Sequence, residues 1–120
     1  RSEAIANNPL DLRGATAWPG NIGWALMANR RNCVASYEAM RGYAQTLSAD
    51  SMRQIADSFE RIFAGAGSDD ELRAMRDRFM CRTVVVRPVD GLWAKSGALL
   101  APYYQLVDER PDRWRIYRAR

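Results

Sequence analysis

Among the side chains of this sequence that could do chemistry, Asp90 is the best placed. It follows the apolar run of "TVVVRPVDGLWAKSG" (residues 83–97) and immediately precedes Gly91, with Trp93 close behind. A carboxylate in that position could act as a general acid or base, or could orient a bound ligand as an acceptor. Acid–base work needs a partner, and no histidine, second carboxylate or metal-ligand spacing stands near Asp90 in the sequence. The chain has no histidine at all, which also removes the histidine-dependent serine and cysteine triads and most zinc sites. Cys33 and Cys81 are too far apart for a metal-binding knuckle, so neither a metal nor a cofactor is expected. "GAGSDD" (residues 65–70) resembles a phosphate loop on the surface, but it follows a helical pattern, and its aspartates would repel a phosphate. Gly65 reads there as a helix stop and Ser68 as the next N-cap.

Asp90 therefore has two readings. As a ligand group it would sit just past the carboxyl end of a buried parallel strand, where open α/β sheets bind ligands, in a pocket with Trp93 and with Tyr37 and Glu38 from the end of an earlier strand. As a corner it would make a tight turn with Gly91, accept backbone N–H groups at the start of the next helix, and leave Trp93 to cover the strand end.

The elements that would position these groups are legible from periodicity. Residues 1–20, broken by Asn7, Asn8, Pro9, Gly14, Pro19 and Gly20, read as an irregular lead-in leaning on the body through Leu10, Leu12 and Trp18. The domain proper then covers residues 21–120. Asn21 caps a short helix, "IGWALMANR", which runs into a short strand, "CVASY", and a second helix, "EAMRGYAQTL". In "DSMRQIADSFERIFAG" the apolar Met52, Ile55, Ala56, Phe59, Ile62 and Phe63 recur at helical steps behind Asp50 as cap, and Gly65 ends the run. "SDDELRAMRDRFM" opens on a capping box, Ser68 with Glu71, and carries Leu72, Met75 and Phe79 inward. "TVVVR" lacks alternation, as a strand covered on both faces does, and Pro88 ends it. "WAKSGALLA" reads as a short helix, and "YYQLVDE" and "RWRIYRA" as a hairpin turning through Arg110, Pro111 and Asp112. This order predicts an α/β fold: a small three-layer sandwich with parallel central strands and an antiparallel C-terminal hairpin at the edge.

Composition narrows the partners. The 120 residues are 48% apolar, enough for one core without a metal. Lys95 is the sole lysine among 18 basic residues, an arginine bias of the kind a GC-rich bacterial genome produces. A nucleic-acid binder would gather its basic residues in a stripe with aromatic residues interleaved, and only "ERPDRWRIYRAR" approaches that, so no nucleic acid is expected. Arg113, Arg115 and Arg118 read as a solvated strand face, with contact to an anionic membrane surface as the alternative. The start at Arg1 reads as either processing or, the preferred reading, a cut from a longer protein whose upstream region could hold the activity.

The blocks "WPGNIGWALMANRRNCVASY", "DDELRAMRDRFMCRTVVVRPVDGLW" and "YYQLVDERPDRWRIYR" together resemble the soluble C-terminal domain of multi-spanning bacterial inner-membrane proteins related to polyprenyl-phosphate-sugar-dependent glycosyltransferases. The resemblance implies a noncatalytic accessory domain at the periplasmic face, aiding acceptor or partner positioning, with the parent membrane region upstream of Arg1 as its partner. No catalytic residue carries over, because the family's catalytic carboxylates lie in the membrane portion and its first external loop. The competing expectation is a free-standing small-ligand-binding or minimal enzyme domain with its pocket at Asp90. A periplasmic address would permit a disulfide between Cys33 and Cys81, each placed at the beginning of a predicted strand. Two separate buried thiols remain the alternative.

Overall fold

The computed structural model describes residues 4–9, 31–33 and 48–120. Its strands are β1 (Ala4–Ala6), β2 (Arg31–Asn32), β3 (Cys81–Val86), β4 (Tyr104–Arg110) and β5 (Trp114–Ala119). Its helices are α1 (Ala49–Phe63), α2 (Asp69–Asp77) and α3 (Ser96–Leu100), the last preceded by a 3-10 segment at Gly91–Lys95. The strands form one five-stranded sheet in the order β2-β1-β3-β5-β4. β1 pairs in parallel with both β2 and β3, whereas β5 lies antiparallel to β3 and to β4. The fold is a small α/β domain, parallel on one side, with the C-terminal hairpin forming the other edge.

Two local expectations need correction. Ala4–Ala6, assigned above to an irregular lead-in, is a strand inside the sheet between β2 and β3. Three residues running into Asn7, Asn8 and Pro9 are too few to display a strand period, so its pairing partners define it. The second strand occupies Arg31–Asn32, ahead of Cys33, and not the "CVASY" stretch as far as that is described. The short helices expected at 22–30 and 38–47, and residues 34–37, lie outside the described residues.

α1 is held at both ends. Ser48 is its N-cap, accepting from the Ser51 N–H at 3.1 Å. Asp50, expected as the cap, sits in the first turn instead, where its charge faces the positive end of the helix dipole. At the other end the Gly65 N–H donates to the Ile62 carbonyl and the Ala66 N–H to the Arg61 carbonyl, the paired bonds of a Schellman stop. Gly65 has φ 84°, a conformation that costs glycine little. α2 opens on the reciprocal Ser68–Glu71 box foreseen from the sequence, with bonds of 3.1 and 3.0 Å.

The core gathers Phe59, Ile62 and Phe63 of α1, Leu72 and Met75 of α2, Val84 and Val86 of β3, and Leu92, Leu100, Tyr104 and Tyr117. Each such buried side chain contributes about 1.5–3 kcal/mol. Phe79 meets Phe59 edge-on at 5.5 Å. Ile5 and Val85, on the opposite face of their strands, are buried too, so the central strands are covered on both faces. That explains why "VVV" shows no alternation.

Candidate functional site

β1 leads on one side to β2 and on the other to β3, so the sheet reverses its order at β1. The crevice at the carboxyl ends of β1 and β3 is the place where open α/β sheets bind ligands. Asn7 and Asn8 follow β1 there, and Asp90 follows β3 by a four-residue turn, Arg87-Pro88-Val89-Asp90. The turn is closed by the Asp90 N–H donating to the Arg87 carbonyl at 2.9 Å, and Pro88 sets its second position.

The Asp90 carboxylate is only 4% exposed. Its Oδ2 accepts the Arg87 backbone N–H at 2.8 Å, and its Oδ1 accepts the Asn8 side-chain amide at 2.8 Å. The oxygens thus reach back onto the turn and across to β1. They do not cap the following helix, contrary to the corner reading: the 3-10 segment receives no side-chain cap from Asp90. Pro88 is the cause: it folds the chain so that the carboxylate returns to the amide that opens the turn. The backbone carbonyl of Asp90 serves the next segment instead, accepting from the Trp93 N–H at 3.0 Å.

Gly91 has a packing reason beyond the turn. A Cβ on it would fall 2.4 Å from the Ala64 carbonyl oxygen, so the C-terminal end of α1 lies directly against the start of the 3-10 segment.

Trp93 is partly buried and turns toward β5. The Arg115 guanidinium lies over its ring at 3.9 Å from the centroid. Arg115 also donates through Nη1 to the Trp93 carbonyl at 2.7 Å and to Ser96 Oγ at 3.1 Å, and through Nε to Glu109 at 2.8 Å. Ser96 Oγ and the Tyr117 hydroxyl, both buried, share a hydrogen bond of 2.7 Å. This polar cluster is internally satisfied and joins the 3-10 segment to the hairpin. Asp90 and Trp93 are thus neighbours in one turn with their side chains engaged elsewhere: Asp90 with β1, Trp93 with β5. Tyr37 and Glu38, the other two residues of the expected pocket, lie outside the described residues.

The arginines of the C-terminal strand are not gathered on one surface. Arg113 lies exposed in the hairpin turn, whereas the register of β5 sets Arg115 and Arg118 on opposite faces. Cys33 and Cys81 are joined as a disulfide, with Cα atoms 5.7 Å apart. They are not the starting ends of adjacent strands, since Cys33 follows β2 and β1 intervenes between β2 and β3. Among the described residues, no group of three or more His, Cys, Asp or Glu is arranged to hold a metal, and no helix is long and apolar enough to cross a membrane.

A separate cleft of about 300 Å³ lies between α1 and α2, lined by Ser51, Ile55, Ser58, Glu71, Arg78 and Phe79 among others. Glu71 is already committed there: Arg61 donates to it through Nε at 3.0 Å and Ser68 through its backbone N–H. The Arg61 hydrogen bond holds the Glu71 carboxyl below its ordinary range.

Sequence reasoning missed Asn8 and Ser96 as site residues, and it placed Arg115 on a solvated or membrane-facing strand face without its contacts to Trp93 and Ser96. Asn8 and Asp90 are separated by 82 positions, and nothing local to either marks the pairing.

The chain is 44% identical over 117 residues to the uncharacterized protein y4nK of Sinorhizobium fredii (strain NBRC 101917 / NGR234). That match covers 98% of this chain and 18% of the relative, so the chain spans less than a fifth of the relative's length. No solved structure matches it. A family model, the Y4nK C-terminal Rossmann-like domain, matches residues 1–118. With a mixed sheet whose parallel strands reverse their order at β1 and with this match along nearly its whole length, the chain belongs to the Y4nK C-terminal Rossmann-like domain family.

Proposed function

We propose that this domain is a noncatalytic accessory part of a bacterial membrane glycosyltransferase-like protein, and that it helps to position an acceptor or a partner at the periplasmic face. The observation that carries this reading is the state of the crevice at the ends of β1 and β3. Its acidic side chain, Asp90, is buried and bonded to Arg87 and Asn8, which leaves it as a structural corner. Chemistry then belongs to other parts of a longer protein, in keeping with a relative of which this chain matches only 18%.

Two further observations favour the location. A Cys33–Cys81 bridge persists in oxidising compartments such as the bacterial periplasm. Arg113, exposed in the hairpin turn, offers a cation to an anionic lipid surface. A reporter fused after this domain in the full-length protein tests the placement. Alkaline phosphatase, active only in the periplasm, should be active there, and a fluorescent protein that matures only in the cytoplasm should be dark. The opposite pair of outcomes overturns the periplasmic placement.

A further inference from the structure

Among the described residues, β2 is the shortest strand of the sheet. It contributes two residues, in register with Ala4 and Ile5 of β1, and the chain then leaves it through Cys33, whose N–H donates to the Ile5 carbonyl at 3.0 Å. β1 is itself only three residues long, and its pairing with β3 is irregular between Ala4 and Ile5. The opposite half of the sheet is built differently. β3, β5 and β4 run for six, six and seven residues and share the main core with α1, α2 and Tyr104. The disulfide joins these unequal parts, because Cys33 stands just beyond β2 while Cys81 opens β3 and is fully buried.

We propose that the Cys33–Cys81 bridge is a redox latch on the parallel edge of the sheet. Oxidation seats β2 on β1, and reduction by a dithiol releases β2 while the core and the β3–β5–β4 ladder stay folded. The partly buried Cys33 is the accessible end, so the attacking thiolate forms its bond with Cys33 Sγ and expels Cys81 as the leaving thiolate. The second thiol of the dithiol then displaces Cys33. The protein gains two electrons and two protons as two thiols, and the dithiol closes to its own disulfide. The freed Cys81 has an acceptor waiting: its Sγ lies 3.8 Å from the Phe79 carbonyl, so a buried thiol is tolerated without rearrangement. Release of β2 would uncover the edge of β1 at Ala4–Ala6 for pairing with another extended segment.

Amide hydrogen exchange on the 120-residue chain, oxidised and then fully reduced with dithiothreitol, tests the latch. The Cys33 amide should exchange at least tenfold faster on reduction, whereas Phe59 and Ile62 in α1 should change by less than twofold. Reoxidation should restore the original rate, and Cys33→Ser should reproduce the reduced pattern. Equal acceleration at Phe59 and Ile62 would mean that the bridge holds the whole domain, and would overturn the proposal. So would an unchanged Cys33 rate in the reduced chain, or two titratable thiols in the denatured, unreduced protein.

Discussion

The Asn8 side-chain amide donates to Asp90 Oδ1 at 2.8 Å, tying the residue that follows β1 to the carboxylate that follows β3. The bond crosses the crevice where a Rossmann-like domain would receive a ligand; its Asp90 end is buried and its Asn8 end half-buried. Asp90→Ala removes the acceptor of both the Asn8 amide and the Arg87 N–H, and should cost about 1–3 kcal/mol in urea unfolding. A double-mutant cycle with Asn8→Ala should return a coupling of at least about 0.5 kcal/mol, and independent effects would deny the link.

Gly91→Ala should destabilise the fold even though residue 91 is exposed and its backbone needs no special conformation. The added Cβ would meet the Ala64 carbonyl oxygen at 2.4 Å, and relief requires α1 and the 3-10 segment to part. Overpacking of this kind costs about 1–3 kcal/mol, readable in a urea midpoint. Ala at position 97, where a Cβ meets nothing within 4 Å, is the control and should be neutral or slightly stabilising.

How much of this was legible beforehand differs by element. The α1 and α2 patterns, the Ser68–Glu71 box and the Gly65 stop are written in neighbouring residues, because helical bonds and caps are local. β1 was not legible, since "AIA" becomes a strand only through β2 and β3 on either side. Asp90 was legible as a corner, yet its partners were mistaken: Pro88 turns the carboxylate back to Arg87, and Asn8 comes from the far end of the chain. Trp93 stayed open between a pocket wall and a cover for the strand end, because nothing near it in sequence reveals that Arg115 will stack on it.

Stability should fall at both ends of the pH scale for identifiable reasons. The Arg61 hydrogen bond lowers the Glu71 pKa below its ordinary 4.5, so the contribution is complete above that value and is lost as pH falls through the depressed one. Glu71→Gln, which keeps the capping acceptor toward Ser68, should flatten the acid limb while costing less than about 1 kcal/mol at neutral pH. Burial raises the Tyr104 phenol above its ordinary 10.0, and its hydroxyl donates to the Cys81 carbonyl at 2.9 Å. Its contribution is complete below pH 10.0 and is lost as pH rises beyond it. Tyr104→Phe should flatten that alkaline limb at a cost of about 1 kcal/mol. Urea titrations at a series of pH values check both limbs.

Arg115 and Arg113 should separate by readout. Arg115→Lys keeps the charge but loses the planar stack on Trp93 and the fork to the Trp93 carbonyl and Ser96, so it should lower stability by about 1–3 kcal/mol. Arg113→Glu should leave the urea midpoint nearly unchanged and weaken low-salt binding to acidic vesicles. An Arg115→Lys variant as stable as the parent would deny the structural role of that stack.

A structural role for Asp90 is tested most directly by turnover of the purified chain and its Asp90→Asn variant, offered polyprenyl-phosphate-linked sugars and sugar nucleotides. Asn at position 90 retains an acceptor for the Arg87 N–H but cannot serve as a general base at neutral pH. Neither protein should show saturable turnover, and the variant should be folded and within about 1 kcal/mol of the parent. Saturable turnover by the parent that disappears in an equally stable Asp90→Asn variant would contradict that role, and would make Asp90 a catalytic residue.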